Sequence, residues 1–394
     1  MAGPEHFDAI ILGAGAAGLM CALTASQRGR RVLLLESTDK AGAKILISGG
    51  GRCNFTNRET PPASFVSGNP HFATSALKRY TPTDFIALVE RHRIPYHERK
   101  HGQLVCDGSA RQIVAMLLNE CAAGGVDIRL GQQVTKVSRS DQFTVETQMD
   151  HVTAPSLVLA TGGLSIPKMG ATGFSHDLAR QFGLRVMATV PGLVPFTGGL
   201  FPGSVDASLA GVSLDAVTSF EGHRFREAVL FTHRGLSGPA ILQISSYWRP
   251  GEPITLDLLP DHDPAGFIVE RKRARPKAAP QTILAEILPA RLAQTLAAAH
   301  LPASELANIP DRALTAFADD LKNFVFQPAG TEGYAKAEVT VGGIDTRELS
   351  SKTMMAAKVP GLYAIGEAVD VTGWLGGYNF QWAWSSGWSA GEAV

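Results

Sequence analysis

The chain has 394 residues, 45% of them hydrophobic and 18% charged, more than a single core of roughly 250–300 residues carries, so two domains are expected. Lys plus Arg number 36 and Asp plus Glu number 36, so net charge points to no polyanion partner and a nucleic-acid site must come from local clustering. Cys21, Cys53, Cys106 and Cys121 stand far apart with no Cys-x-x-Cys pair, which argues against a metal site or a disulfide framework and for a reducing cytoplasm.

The apolar stretch Ala9 to Leu23 follows Glu5 and Asp8 and is interrupted by glycines, unlike a signal peptide. No run approaches the ~20 apolar residues of a membrane span, so no membrane partner is expected. Asp8 to Leu12 reads as a buried strand, Ala16 to Arg28 as a helix with Gly29 at its end, and Arg31 to Leu35 as the next strand. Together they make a βαβ unit. Phe65 to His92 reads as mostly helical, Arg111 to Ala123 as a helix, and Val126 to Thr147 as a β-meander turning near Asp141. The strand Ser156 to Ala160 runs into Thr161-Gly162-Gly163. Past Pro191 come short strands broken by glycine and proline, then an alanine-rich helical stretch from Asp263 to Asn323. The expected class is α/β, a Rossmann-like fold of the glutathione-reductase type over 1–190 and 331–394. Residues 191–330 interrupt it, with a β part at 191–262 and a helical part at 263–325.

Gly13-Ala14-Gly15-Ala16-Ala17-Gly18 joins the first strand to the first helix. Glycines there let the backbone approach a pyrophosphate, which the helix N-terminus attracts with free N–H groups. Glu36, at the end of the second strand, is placed to accept a ribose diol. This pattern serves NAD and FAD alike. The C-terminal segment favours FAD: the apolar strand Val359 to Ile365 ends in Gly366-Glu367, suited to a ribityl chain, and Gly373, Gly376 and Gly377 open a helix at Tyr378, Asn379 and Phe380. Thr161, Gly162 and Gly163 supply a strand crossover, and Val134 completes the set of cofactor contacts. In Lys44 to Asn54, the residues Ser48, Gly50, Gly51, Arg52, Cys53 and Asn54 form a ribbon able to lie against phosphates or a flavin ring, with Lys44 and Arg52 as cations. A plain flexible loop has the same composition. No second Gly-x-Gly-x-x-Gly appears, so an NADPH or NADH reductant would visit without its own Rossmann domain.

Three long motifs, SGGGRCNFTN at 48–57, LFTHRGLSGP at 230–239 and TGWLGGYNFQW at 372–382, resemble those of the bacterial YhiN-type flavoproteins across nearly the whole chain. The resemblance implies a FAD-binding fold interrupted by a β-barrel-like piece and a helical piece. The activities it implies diverge: reduction of a conjugated double bond in bile-acid intermediates, oxidation of aminoacetone, or reduction of a uridine in 23S ribosomal RNA to dihydrouridine. The resemblance is nearest to the last group.

Basic residues cluster at Arg271, Lys272, Arg273, Arg275 and Lys277, as a phosphate-backbone contact would require; a solvated linker between subdomains fits equally. Ser237-Gly238-Pro239 reads as a capped helix start. Reducing the C=C of uracil needs a hydrogen-bond donor at O4 and a proton for C5. Cys53, Cys106, His233 and Tyr378 are of the right type, with Cys53 first because it follows the glycine ribbon; a small buried residue is the other reading of Cys53. Three function classes remain: an RNA uridine reductase, a small-molecule oxidase or enone reductase, and a ribosome-assembly binding protein with structural FAD.

Overall fold

The computed structural model describes residues 5–199 and 207–394. The chain divides into two compact units, Met1–Pro191 with Glu338–Val394, and Gly192–Ala337.

In the first unit, β1 (Ala9–Leu12), α1 (Ala16–Gln27) and β2 (Val32–Leu35) follow in sequence, and every residue of both strands is buried. Continuous apolar strands of this kind belong to a parallel sheet covered on both faces. The helix α2 (Ala43–Gly51) breaks near its end, where Ser48 is extended and Gly49 and Gly50 are left-handed. A small antiparallel sheet comes next, in the order β3 (Asn54–Asn57), β5 (Gln103–Cys106), β4 (Tyr96–Glu98), with α3 (Pro82–Arg91) inserted before β4.

After α4 (Arg111–Ala123), β6 (Asp127–Arg129) departs from the predicted meander. It pairs in parallel with β2, Leu33 to Leu35 lying opposite Asp127 to Arg129, and forms an edge of the main sheet. The antiparallel meander is β7 (Val134–Arg139), β8 (Phe143–Thr147) and β9 (His151–Ala154). Left-handed Gly131 separates the two. The chain re-enters the main sheet at β10 (Ser156–Leu159), followed by α5 (Phe174–Gln181).

The second unit contains a seven-stranded sheet built from β11 (Phe196–Thr197), β12 (Ser213–Phe220), β13 (His223–Phe231), β14 (Gly235–Ser237), β15 (Ile254–Asp257), β16 (Phe324–Phe326) and β17 (Gly330–Thr331). The order is β16-β15-β12-β13-β14-β11-β17, antiparallel throughout. Its two edge strands are joined by residues 327–329 alone, so the sheet curls toward closure like a barrel. The short α6 (Pro239–Ser245) follows β14. The helical part is α7 (Pro264–Ala274), α8 (Pro280–Leu284), α9 (Ala290–His300) and α10 (Asp311–Lys322).

Back in the first unit, β18 (Val339–Val341) precedes β19 (Leu362–Ala364), and α11 (Tyr378–Gly391) ends the fold. The main sheet is then parallel in the order β19-β10-β1-β2-β6. From β1 the chain builds outward to one side and then crosses to β10 on the other. Ligands of such sheets bind at this switch point, beyond the carboxyl ends of the strands.

Helices α1 and α11 run parallel in close contact. A Cβ on Gly387 would lie 2.5 Å from the Ala17 carbonyl oxygen, and one on Gly391 would lie 2.8 Å from that of Cys21. Because Tyr378 precedes Gly387 by nine residues, α11 begins about 12 Å before α1 along the shared direction.

Candidate active site

The turn after β1 is shaped by two glycines. Gly13 has φ of 107°, and a Cβ on it would stand 2.5 Å from the Ala160 carbonyl oxygen; a Cβ on Gly18 would strike the Gly13 carbonyl at 1.9 Å. Gly15 differs: it caps α1 with no side-chain bond, and a Cβ there meets nothing within 4 Å. The first N–H groups of α1, at Ala16 and Ala17, have no partner within the helix and suit an anion. Ala17 itself is buried, with Gly366 held glycine by its methyl group, 2.8 Å from where a Cβ would sit.

The Glu36 carboxylate stitches this turn. One oxygen accepts the Ala14 N–H at 2.9 Å, and the other accepts the Thr38 N–H and hydroxyl, each at 2.9 Å. A ribose diol would share those oxygens.

Lys44 and Glu367, expected as separate contacts, form one cluster. Lys44 Nζ lies 2.7 Å from Glu367 Oε2 and 2.5 Å from Ser165 Oγ, while Glu367 Oε1 accepts from Ser165 Oγ at 2.8 Å and the Thr340 N–H at 3.0 Å. Burial pushes the Glu367 pKa up, but the Lys44 charge and these donors outweigh it and hold the carboxyl below its ordinary range. Gly163 is glycine because a Cβ would lie 2.4 Å from Thr340 Oγ1. Ser165, Thr340 and Glu338 were missed from the sequence, where nothing in their spacing joins residues some 175 positions apart. Glu338 sits beside β18, its pKa raised by desolvation and pulled back in part by Lys44.

Thr161 and Ser175 exchange hydrogen bonds, which fixes the start of α5 to the end of β10. Gly162 is left-handed with open space where a Cβ would point. In the ribbon after α2, the Ser48 hydroxyl donates to the Ile45 carbonyl, Gly50 faces open space, Gly51 continues left-handed, Arg52 is exposed, and the Asn54 amide lies 3.1 Å from that of Gln103. Val134 opens β7, half-buried against the core.

At the C-terminal turn, Asn379 accepts the Gly373 N–H and donates to the Gly373 carbonyl, both at 2.8 Å, closing the loop from Gly373 to Gly377. Its side chain thus holds the loop. Phe380 stacks on Trp384, and Gln381 accepts from Thr56 Oγ1 at 2.6 Å and donates to the Tyr80 carbonyl. Left-handed Gly376 and Gly377 lead into α11, leaving its first N–H groups at the loop. Tyr378 is half-buried beside Phe65 and Trp374, its phenol pKa raised chiefly by burial.

Two helix N-termini offset by about 12 Å, with space where a Cβ would point at Gly15, Gly50 and Gly162, fit an extended dinucleotide. Its pyrophosphate would face α1 and its flavin ring α11. A family model, the HI0933-like protein Rossmann domain, matches residues 7–393. The chain belongs to the HI0933-like family. It is a FAD-dependent oxidoreductase. Its relatives include an Escherichia coli K12 protein named Ribosomal RNA dihydrouridine synthase, 52% identical over 98% of each chain. Another, from Clostridium scindens, is named 3-dehydro-bile acid delta(4,6)-reductase and is 30% identical over 98% of each chain. A flavocytochrome c3 fumarate reductase in its open conformation shares the fold at 18% identity and TM-score 0.50, over 99% of this chain and 78% of that one.

The two cysteines expected among the proton donors are both covered in this HI0933-like chain. Cys53 is 0% exposed, its whole surface covered by protein atoms, so it reaches neither flavin nor substrate. Burial also drives its thiol pKa up, and Cys106, equally buried, is pushed up to about 11. His233 stands exposed in the turn between β13 and β14 of the second unit. Gly238, not Ser237, caps α6, and no side chain bonds to that cap.

The basic run at the end of α7 is largely paired. Arg271 and Arg275 bind Glu286 at 2.8 and 2.6 Å, and Lys272 binds Asp311 and the Ile309 carbonyl, both at 2.6 Å. These side chains tie the helices of the second unit together; Arg273 and Lys277 are exposed. Among the described residues no group of His, Cys, Asp or Glu is arranged to hold a metal ion, and no helix is long and apolar enough to cross a membrane.

Proposed function

We propose that this HI0933-like chain reduces a uridine in 23S ribosomal RNA to dihydrouridine, in the cytoplasm, with NADPH or NADH as the transient reductant. The observation that carries the reading is its full-length similarity to the E. coli protein bearing that name. When bound, FAD supplies the two-electron chemistry. Gly13, Gly15, Ala16, Ala17 and Gly18 would hold its pyrophosphate, Glu36 and Val134 its adenosine half, and Gly162, Gly163, Gly50, Gly51 and the turn Gly366–Glu367 the ribityl and ring. Lys44 keeps Glu367 charged and in place. The N–H groups of Gly377, Tyr378 and Asn379 would face the flavin's polar edge.

On the substrate side, C5 of uracil needs a proton. Tyr378, the first residue of α11 beside the glycine loop and protonated at neutral pH, is placed to hold it. The target base must be unstacked before it meets the flavin, so partly assembled or free RNA suits the site better than finished ribosomes.

The C. scindens relative favours one other reading, reduction of a conjugated C=C in a small molecule. Anaerobic stopped-flow separates them. Pre-reduced enzyme mixed with unmodified 23S RNA should lose its reduced-flavin spectrum in a saturable phase. Reoxidation by small enones or amines, with none by RNA, would overturn the RNA reading.

A further inference from the structure

We infer that the turn between β4 and β5 is the phosphate-binding surface for the RNA substrate, an inference that rests on the function proposed above. Residues 91–101 hold four Arg or Lys and three His against one acid, Glu98, in a chain with no net charge. Ile94, Pro95 and Tyr96 divide them in the sequence. Tyr96 to Glu98 form the edge strand of the three-stranded sheet, and Arg99 and Lys100 begin the turn that leaves it.

Part of this charge is neutralised internally. Glu98 pairs with Arg58, Glu120 with Arg91 and His92, and Asp107 with His97. Arg93, Arg99 and Lys100 are exposed and carry no ion pair among the described residues. Apart from a 3.4 Å contact of Arg99 Nε with His97 Nε2, these cations face solvent, unlike most of the Arg271 run.

What makes the turn a site is its attachment to the flavin-facing loop. Buried Asn57 donates from one amide nitrogen to the His101 carbonyl at 2.8 Å and to the Gly376 carbonyl at 3.1 Å. The same amide therefore holds both the basic turn and the glycine loop that opens α11. Gln103, the first residue of β5, packs where a Gly376 side chain would be, 2.9 Å from that Cβ position. The Arg58 N–H donates to the Gly102 carbonyl at 2.8 Å, and Arg99 donates its N–H to the Gln103 carbonyl at 2.8 Å. His101 and Gly102 are both left-handed, with φ of 59° and 71°, a strained tight turn held by these bonds. A single strand whose phosphates sit on Arg99 and Lys100 passes directly beside the loop from Gly373 to Gly377, where an unstacked base would be delivered.

Fluorescence anisotropy of an unmodified 23S RNA transcript, titrated with full-length holoenzyme over a range of salt, tests this. The double variant Arg99→Gln, Lys100→Gln should bind roughly tenfold more weakly, with a salt slope shallower by about 1.4, at 0.7 per lost phosphate contact. FAD content should match wild type, and Arg180→Gln, on the exposed face of α5, should bind RNA as wild type does. A double variant with wild-type affinity and slope overturns this surface and leaves the function standing. Wild-type enzyme with no salt-dependent affinity for RNA overturns both.

Discussion

Glu367 shows how one residue ties chemistry to stability. Its carboxylate is surrounded by Lys44, Ser165 and the Thr340 N–H, and its pKa in the folded protein is lowered from its ordinary value. A carboxyl depressed by folding adds stability that is fully present above its unfolded pKa of about 4.3 and is lost as pH falls through the folded value. Glu367→Gln should therefore be less stable than wild type by a constant margin from neutral pH down to about 5, and the margin should shrink below about pH 4. Urea unfolding at each pH measures it; a margin unchanged into the acid range would contradict the assigned partners. Cys53 gives the opposite case. Because its surface is covered, Cys53→Ala should keep turnover within a few-fold of wild type while the melting temperature falls, a small cavity costing on the order of 1 kcal/mol. Loss of turnover by orders of magnitude in a folded, FAD-loaded variant would return Cys53 to the chemistry. Its place after three glycines made it attractive in the sequence, but order along a chain does not tell which way a side chain points.

At the level of elements, the contact between α1 and α11 sets the distance between the two anion-facing helix starts. Gly387 and Gly391 permit it. Gly387→Val would drive a branched side chain into the Ala17 carbonyl; overpacking of this kind costs about 1–3 kcal/mol, and it should also displace the α1 N-terminus. The expected result is a lower melting temperature together with weaker FAD retention, read by flavin absorbance after gel filtration. A variant that loses stability yet keeps FAD at wild-type occupancy would show that the helix spacing does not shape the dinucleotide site. The βαβ unit was legible because buried parallel strands read as unbroken apolar runs and α1 has a glycine at each end. The strand β6 was not legible: Asp127-Ile128-Arg129 is short and polar and owes its place to pairing with β2. The Arg271 run was visible as charge, but its partners Glu286 and Asp311 come from other helices, and only folding brings them there.

For the whole molecule, the sequence carried the α/β class, the HI0933-like family and the flavin, since long glycine motifs specify backbone shape directly. It did not carry the side-chain clusters that join distant segments, of which Lys44 with Ser165, Thr340 and Glu367 is the clearest. Nor did it carry the basic turn, whose closeness to Gly376 depends on Asn57. Zero net charge leaves RNA binding to such local surfaces. Uridine reduction is measured most directly by mass mapping of 23S RNA after incubation with pre-reduced holoenzyme, using RNA from cells that lack this gene. A single uridine-containing fragment should gain the mass of two hydrogens. RNA that returns unchanged, from enzyme that rapidly turns over a small enone, would contradict it.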